Sequence, residues 1–150
     1  FHRVPLRGVV AVTVDMVILS QDDRVLLIRR GKEPFQHCWA FPGGRIDPSD
    51  SDMLCAAERE LCEETSLTDM ELVPVMTVGN SARDPRGFCV SVIFKSAHRV
   101  DRSKLRVRAG DDAINYQWCS LKSVPPLAFD HEKILQTVLE TEQRNCPPAQ

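Results

Sequence analysis

The stretch CAAERELCEET, residues 55–65, carries four glutamates in eleven positions: Glu58, Glu60, Glu63 and Glu64. On a helix, Glu60, Glu63 and Glu64 share one face at spacings i, i+3 and i+4. Like charges so placed destabilise an isolated helix by a few tenths of a kcal/mol, roughly, per adjacent pair. Arg59 stands four residues before Glu63 and relieves a little of this. A divalent cation relieves much more, and carboxylate oxygens suit the hard ions magnesium and manganese. The plain alternative is a solvated glutamate-rich face. The preceding Pro42-Gly43-Gly44 turns the reading toward a metal. Two glycines permit positive φ and close backbone approach, which brings a strand end and a carbonyl against the helix.

The flanking sequence predicts the elements that hold this face. A β-branched run over 9–20 and the run RVLLIRR over 24–30 predict two strands, joined as a hairpin by the three residues 21–23. WAFPGG, 39–44, predicts a short strand ending in a sharp turn, with Trp39 packed on that turn. DPSDSD, 47–52, supplies turn and N-cap residues, Asp50 among them. A helix is predicted over 52–65, with Leu54, Ala57 and Leu61 toward the core and the glutamates outward. Strands follow over 71–78 and 88–95, separated by the loop GNSARDPRG. Residues 99–113 read as a charged loop and 113–121 as a strand. Pro125 and Pro126 break the chain. A second helix spans 130–144, with Ile134, Leu135, Val138 and Leu139 buried, and a frayed tail begins at about 145. Mixed strands with two helices predict an α+β domain over 1–150, its sheet covered on both faces.

Composition narrows the function classes. The chain has 150 residues, 43% hydrophobic and 27% charged, with a formal net charge of −2. That balance gives no electrostatic reason for nucleic-acid or membrane binding. The longest apolar run, 9–20, is too short to span a bilayer, carries Asp15, and does not read as a signal peptide. The chain starts at Phe1, as expected if preceding residues have been trimmed. Cys38, Cys55, Cys62, Cys89, Cys119 and Cys146 form no C-x-x-C pair. They read mostly as small buried hydrophobes of an intracellular, cytoplasmic protein.

The Gly-Gly turn and the helix together resemble the signature of the Nudix hydrolases, G-x5-E-x7-R-E-U-x-E-E-x-G-U, with U a bulky aliphatic residue. Residues 44–67 read GRIDPSDSDMLCAAERELCEETSL, and Gly44, Arg59, Glu60, Leu61, Glu63, Glu64 and Leu67 match. There are three departures: Asp50 stands for the first glutamate, one extra residue precedes Arg59, and Ser66 replaces the late glycine. Asp50 keeps the charge and is equally an N-cap type. The insertion falls in a loop, where added length is cheap. Ser66 falls where a left-handed C-cap favours glycine. The resemblance implies a Nudix-type α/β/α sandwich with a mixed β-sheet between helices. It implies that Glu60, Glu63 and Glu64, with the Gly44 carbonyl region, hold magnesium or manganese, and that Arg59 orients the glutamates. It implies water attack on a nucleoside diphosphate linked to a moiety X. A general base in this family often lies in a loop before a late strand. Asp111 and Asp112 stand in such a loop, where a polar turn is the other reading.

Beyond the signature, LLIRRGKEPFQHCWAFPGG, RDPRG, the AGDDA segment and LAFDHEKIL resemble the ADP-ribose pyrophosphatase branch. They also resemble the Nudix domains of regulators of NAD metabolism. Arg29 and Arg30 alternate across a strand, so one meets phosphate and the other solvent. Arg83 and Arg86 are candidates for the diphosphate or terminal ribose, or for a solvated turn. Phe35 and Phe129 are candidates to stack on adenine, or to pack in the core. Asp130 suits a purine-reading position or an N-cap, and His131 a surface position. The leading expectation is a magnesium-dependent enzyme turning ADP-ribose into AMP and ribose 5-phosphate, working as a homodimer. The alternatives are a diphosphatase for coenzyme A, NADH or oxidised nucleoside triphosphates, and a non-catalytic ADP-ribose sensor. The short C-terminal remainder, too small for a winged-helix DNA-binding domain, weighs against the sensor.

Overall fold

Runs rich in valine, isoleucine and leucine, punctuated by proline, glycine and aspartate, become strands in the computed structural model, which describes residues 9–145. In chain order the elements are β1 (Ala11–Val17), β2 (Arg24–Arg30), β3 (Trp39–Ala40), β4 (Gly43–Arg45), α1 (Met53–Thr65), β5 (Leu72–Asn80), β6 (Cys89–Ser96), β7 (Ala113–Ser120) and α2 (His131–Arg144). A 3-10 turn, Arg102–Lys104, lies inside the stretch read as a charged loop. The predicted tail beyond Asn145, with Cys146, lies outside the described residues.

Two sheets form, with strand orders β4-β1-β6-β5 and β3-β2-β7. β1 and β6 run parallel, from Ala11 opposite Cys89 to Val17 opposite Lys95. The other ladders are antiparallel. The predicted β1–β2 hairpin is corrected. Both edges of β1 are taken by β4 and β6, so only the isolated bridge Leu19–Val25 joins the two runs, and β2 enters the other sheet. WAFPGG is likewise two strands, β3 in one sheet and β4 in the other. Pro42 lies between them, where the chain crosses over and a ladder N–H is missing. Trp39 pairs with Arg29 and packs on the α2 side, not on the Gly-Gly turn. On the edge strand β5, Pro74 sits beside an irregularity in register with β6, a position proline tolerates.

Period-two alternation sends neighbouring strand residues to opposite cores. Met16, Ile18, Leu26 and Phe94 meet Ala57 and Leu61 beneath α1. Val17, Val25, Leu27 and Ile93 meet Ile134, Leu135 and Val138 beneath α2, with Leu139 partly buried at the margin. The result is the layered α/β/α arrangement. Of the cysteines, Cys89 and Cys119 are buried, but Cys55 and Cys62 are exposed on α1.

Candidate active site

Asp52, not Asp50, caps α1: its Oδ1 accepts the Cys55 N–H at 2.7 Å. That start puts Met53, Ala56, Ala57, Glu60, Leu61 and Glu64 on one stripe at i, i+3, i+4, i+7, i+8 and i+11. Leu54 is rotated off this stripe and is 41% exposed, correcting its predicted core place. The stripe also corrects the expectation that all three glutamates face outward. Glu60 is 8% and Glu64 5% exposed, and only Glu63 faces solvent. Two carboxylates thus occupy positions where an amphipathic helix carries apolar residues. Desolvation there is expensive unless a partner compensates it.

The partners are few. Glu64 accepts the Gly43 N–H at 2.6 Å, yet burial still pushes its carboxyl up to about 8. Burial also raises Glu60, against the pull of Arg59. Arg59 forks onto Asp50 at 2.9 and 2.8 Å and reaches Glu60 at 2.9 Å and Glu63 at 3.3 Å. Those hydrogen bonds hold Asp50 down to about 2. Asp50 therefore anchors the arginine that bonds Glu60 and Glu63.

The two glycines act differently. A Cβ on Gly44 would stand 2.5 Å from the Glu60 carboxylate, the mobile end of a side chain. A Cβ on Gly43 would run into the Val14 carbonyl, which is backbone. Gly43→Ala is expected to destabilise the fold by about 2 kcal/mol or more. Gly44→Ala is expected to keep a near-native melting temperature while displacing Glu60 and lowering turnover. Thermal melts beside rate measurements separate the two lesions.

At the C-terminus of α1, Ser66 adopts φ 65° and its N–H bonds the Cys62 carbonyl. It holds the left-handed conformation that a glycine takes without strain. Ser66→Gly is expected to stabilise the protein by about 1 kcal/mol, read from denaturant unfolding. Just beyond, the Arg108 N–H bonds the Thr65 carbonyl at 2.9 Å and the Gly110 N–H bonds the Glu64 carbonyl at 3.2 Å. These bonds satisfy helix-end carbonyls and fix the Asp111–Asp112 loop beside the glutamates. Asp112 pairs with Lys32 at 2.8 Å. Asp111, at φ 52°, has no ion pair among the described residues.

Glu60, Glu64, Asp111 and Asp112 line a cleft of about 340 Å³ together with Arg30 and Arg86. Arg30 lies 4.9 Å from the Phe129 ring centre, and Phe129 lies 4.7 Å from Phe35. Both phenylalanines have positive φ, 54° and 58°, so backbone strain accompanies the pair. Phe129 lines the cleft, whereas Phe35 backs it from outside. Arg29 points away, donating to the His37 carbonyl at 3.0 Å. Arg86 is held by Asp84 at 2.8 Å. Arg83 is bound by Asp130, whose side chain makes no cap bond to α2.

Asp15, His131 and Asp84 are titratable cleft residues to which the sequence assigned no part in a site. Asp15 and His131 are buried and face each other at 3.7 Å, so His131 is not the predicted surface residue. Its Nδ1 accepts the Phe41 N–H at 3.1 Å, which leaves the Nε2 proton toward Asp15. Burial raises Asp15 and lowers His131. A lone aspartate inside an apolar strand run was the available signal for Asp15.

The donor set is hard oxygen and fits magnesium or manganese. Among the described residues, no three His, Cys, Asp or Glu side chains converge as a metal group. The Arg59 guanidinium lies against both Glu60 and Glu63, and Glu64 is turned to Gly43.

A family profile described as NUDIX domain matches residues 9–138. The chain belongs to the Nudix family. It is 37% identical over 126 residues to an ADP-ribose pyrophosphatase of Methanocaldococcus jannaschii, covering 84% of this chain and 71% of that protein. It is 34% identical over 130 residues to the ADPR responsive transcriptional repressor NtrR of Acinetobacter baylyi, covering 83% of this chain and 51% of that protein. In structure it is similar to the NUDIX domain of Shewanella oneidensis NrtR complexed with ADP ribose. The TM-score is 0.82 and the identity 30%, over 89% of each chain. No helix among the described residues is long and apolar enough to cross a membrane.

Proposed function

We propose that this protein is a magnesium-dependent hydrolase that splits the diphosphate of ADP-ribose into AMP and ribose 5-phosphate. One observation carries the reading: two glutamates buried on the inward stripe of α1 line one cleft with Arg30 and Arg86. Buried carboxylates and guanidinium groups in one cleft suit a polyanion that arrives with a cation. The similarity to the M. jannaschii ADP-ribose pyrophosphatase supports the choice of X.

In this reading Glu60, Glu63 and Glu64, with Gly44, would hold magnesium or manganese, which would supply charge neutralisation at the diphosphate and activation of a water. The chain's own residues do the rest. Arg30 and Arg86 bind phosphate oxygens, Arg30 steadied by Phe129. Arg59 orients the glutamates. Asp111, tethered through Gly110 to α1, takes the proton of the attacking water, while Asp112 stays with Lys32. The protein acts as a cytoplasmic homodimer on a small nucleotide.

A second reading is an ADP-ribose sensor without turnover. The Arg59 position between Glu60 and Glu63 favours it, as do the similarities to NtrR and NrtR. A product assay separates the readings. The protein is incubated with magnesium and ADP-ribose, NADH, coenzyme A, diadenosine polyphosphates or oxidised dGTP, and products are resolved by chromatography. AMP forming fastest from ADP-ribose is expected. Preference for another compound sinks the substrate assignment. No turnover, with ADP-ribose still raising the melting temperature, establishes the sensor.

A further inference from the structure

Arg83 reaches the cleft from the β5–β6 loop. Asn80 Oδ1 accepts the backbone N–H groups of Ala82 and Arg83, both at 2.9 Å, and fixes the turn that aims it. Its guanidinium forks onto Asp130 at 3.0 and 2.8 Å and donates through Nη1 to Ser91 Oγ. The side chain is only 4% exposed. Asp130 holds the N-cap position of α2 yet spends its carboxylate on Arg83 instead of capping. With these donors engaged inside the protein, Arg83 is poorly placed to serve a ligand directly.

What the pair separates gives it a different part to play. On one side lies the main cleft. On the other, between β5 and α2, lies a second groove of about 270 Å³ whose walls include Met76, Val78, Ala82 and Ile134, with Lys133 and Thr137 at its polar positions. Arg83 lines both spaces. We infer that the Arg83–Asp130 ion pair is a partition that sets the length of ligand the cleft admits. Closed, it ends the cleft after a diphosphate carrying one base and two sugars. Open, it joins the cleft to a groove whose apolar walls and polar positions suit a second flat ring with hydrogen-bonding edges. Selectivity then arises from a built obstacle to longer dinucleotides, not from a contact to the preferred ligand. This rests on the ADP-ribose reading above for the identity of the shorter ligand.

ADP-ribose and NADH differ by one flat ring on the terminal ribose, and they make the test. Binding is read by calorimetry and by the rise in melting temperature, which need no turnover. Asp130→Ala is expected to gain about tenfold or more in NADH affinity relative to ADP-ribose. Since that change strands the buried Arg83 charge, the double variant Arg83→Ala/Asp130→Ala removes both halves and is expected to show the same gain. Adding Thr137→Trp, which fills the groove from α2, is expected to take the gain away. No relative gain for NADH in either folded variant overturns the partition, as does a gain that Thr137→Trp leaves intact. A wild-type protein that binds neither ligand defeats the ADP-ribose reading instead. The partition is then judged by whether opening the pair creates NADH binding.

Discussion

Glu64→Gln is expected to remove nearly all turnover while the protein still folds. The substitution is nearly isosteric, and the carbonyl oxygen of the new amide can still accept the Gly43 N–H that Glu64 accepts now. What is lost is the charge with which, on the proposed reading, Glu64 holds a divalent ion against a diphosphate. Removing one such electrostatic contributor lowers kcat by about a hundredfold to a thousandfold. Glu60→Gln is expected to do the same, since Glu60 lies on the same stripe against Gly44. Steady-state rates with magnesium, beside circular dichroism of each variant, make the check. Full activity in both folded variants would remove α1 from the chemistry.

The second large effect is on stability, and it changes with pH. Burial holds the Glu64 carboxyl at about 8, above its ordinary 4.5. In the metal-free protein the folded state therefore keeps a proton that the unfolded chain releases near pH 4.5. The stability this provides is complete below that pH and is lost progressively as pH rises to about 8. The linked change is on the order of a few kcal/mol. Melting temperature is expected to fall over that window in the wild type and much less in Glu64→Gln. Magnesium at about pH 8 is expected to restore the wild type, because a cation replaces the proton. The variant is expected to respond weakly. A wild type that magnesium leaves unchanged at the same pH would mean that the buried carboxylates do not face the ion.

The resemblance, the helix and the identity of its glutamates were legible because R-E-L-x-E-E after a Gly-Gly turn is a specific pattern in one contiguous stretch. The orientation of that helix was not. Ala57 and Leu61 are buried as expected, but they share their stripe with Met53 and Ala56 and not with Leu54, and that stripe takes Glu60 and Glu64 inward. Glutamate reads as polar in any pattern of hydropathy, so its burial was hidden. Strand existence was legible from β-branched content, yet partners were not. The run over 9–20 and the run over 24–30 looked like a hairpin until β4 and β6 claimed both edges of the first. Long-range pairs were out of reach for the same reason. Arg83 with Asp130, and Asp15 with His131, are brought together only by the fold.

The most direct test of the account is the fate of ADP-ribose in the presence of the wild-type protein, followed by chromatography with magnesium and again after chelation by EDTA. AMP and ribose 5-phosphate appearing together with magnesium, and ceasing with EDTA, is the predicted result. Release of AMP at the same rate after chelation would contradict a mechanism built on Glu60 and Glu64 as metal-holding carboxylates. Intact ADP-ribose in both conditions would contradict the enzyme itself.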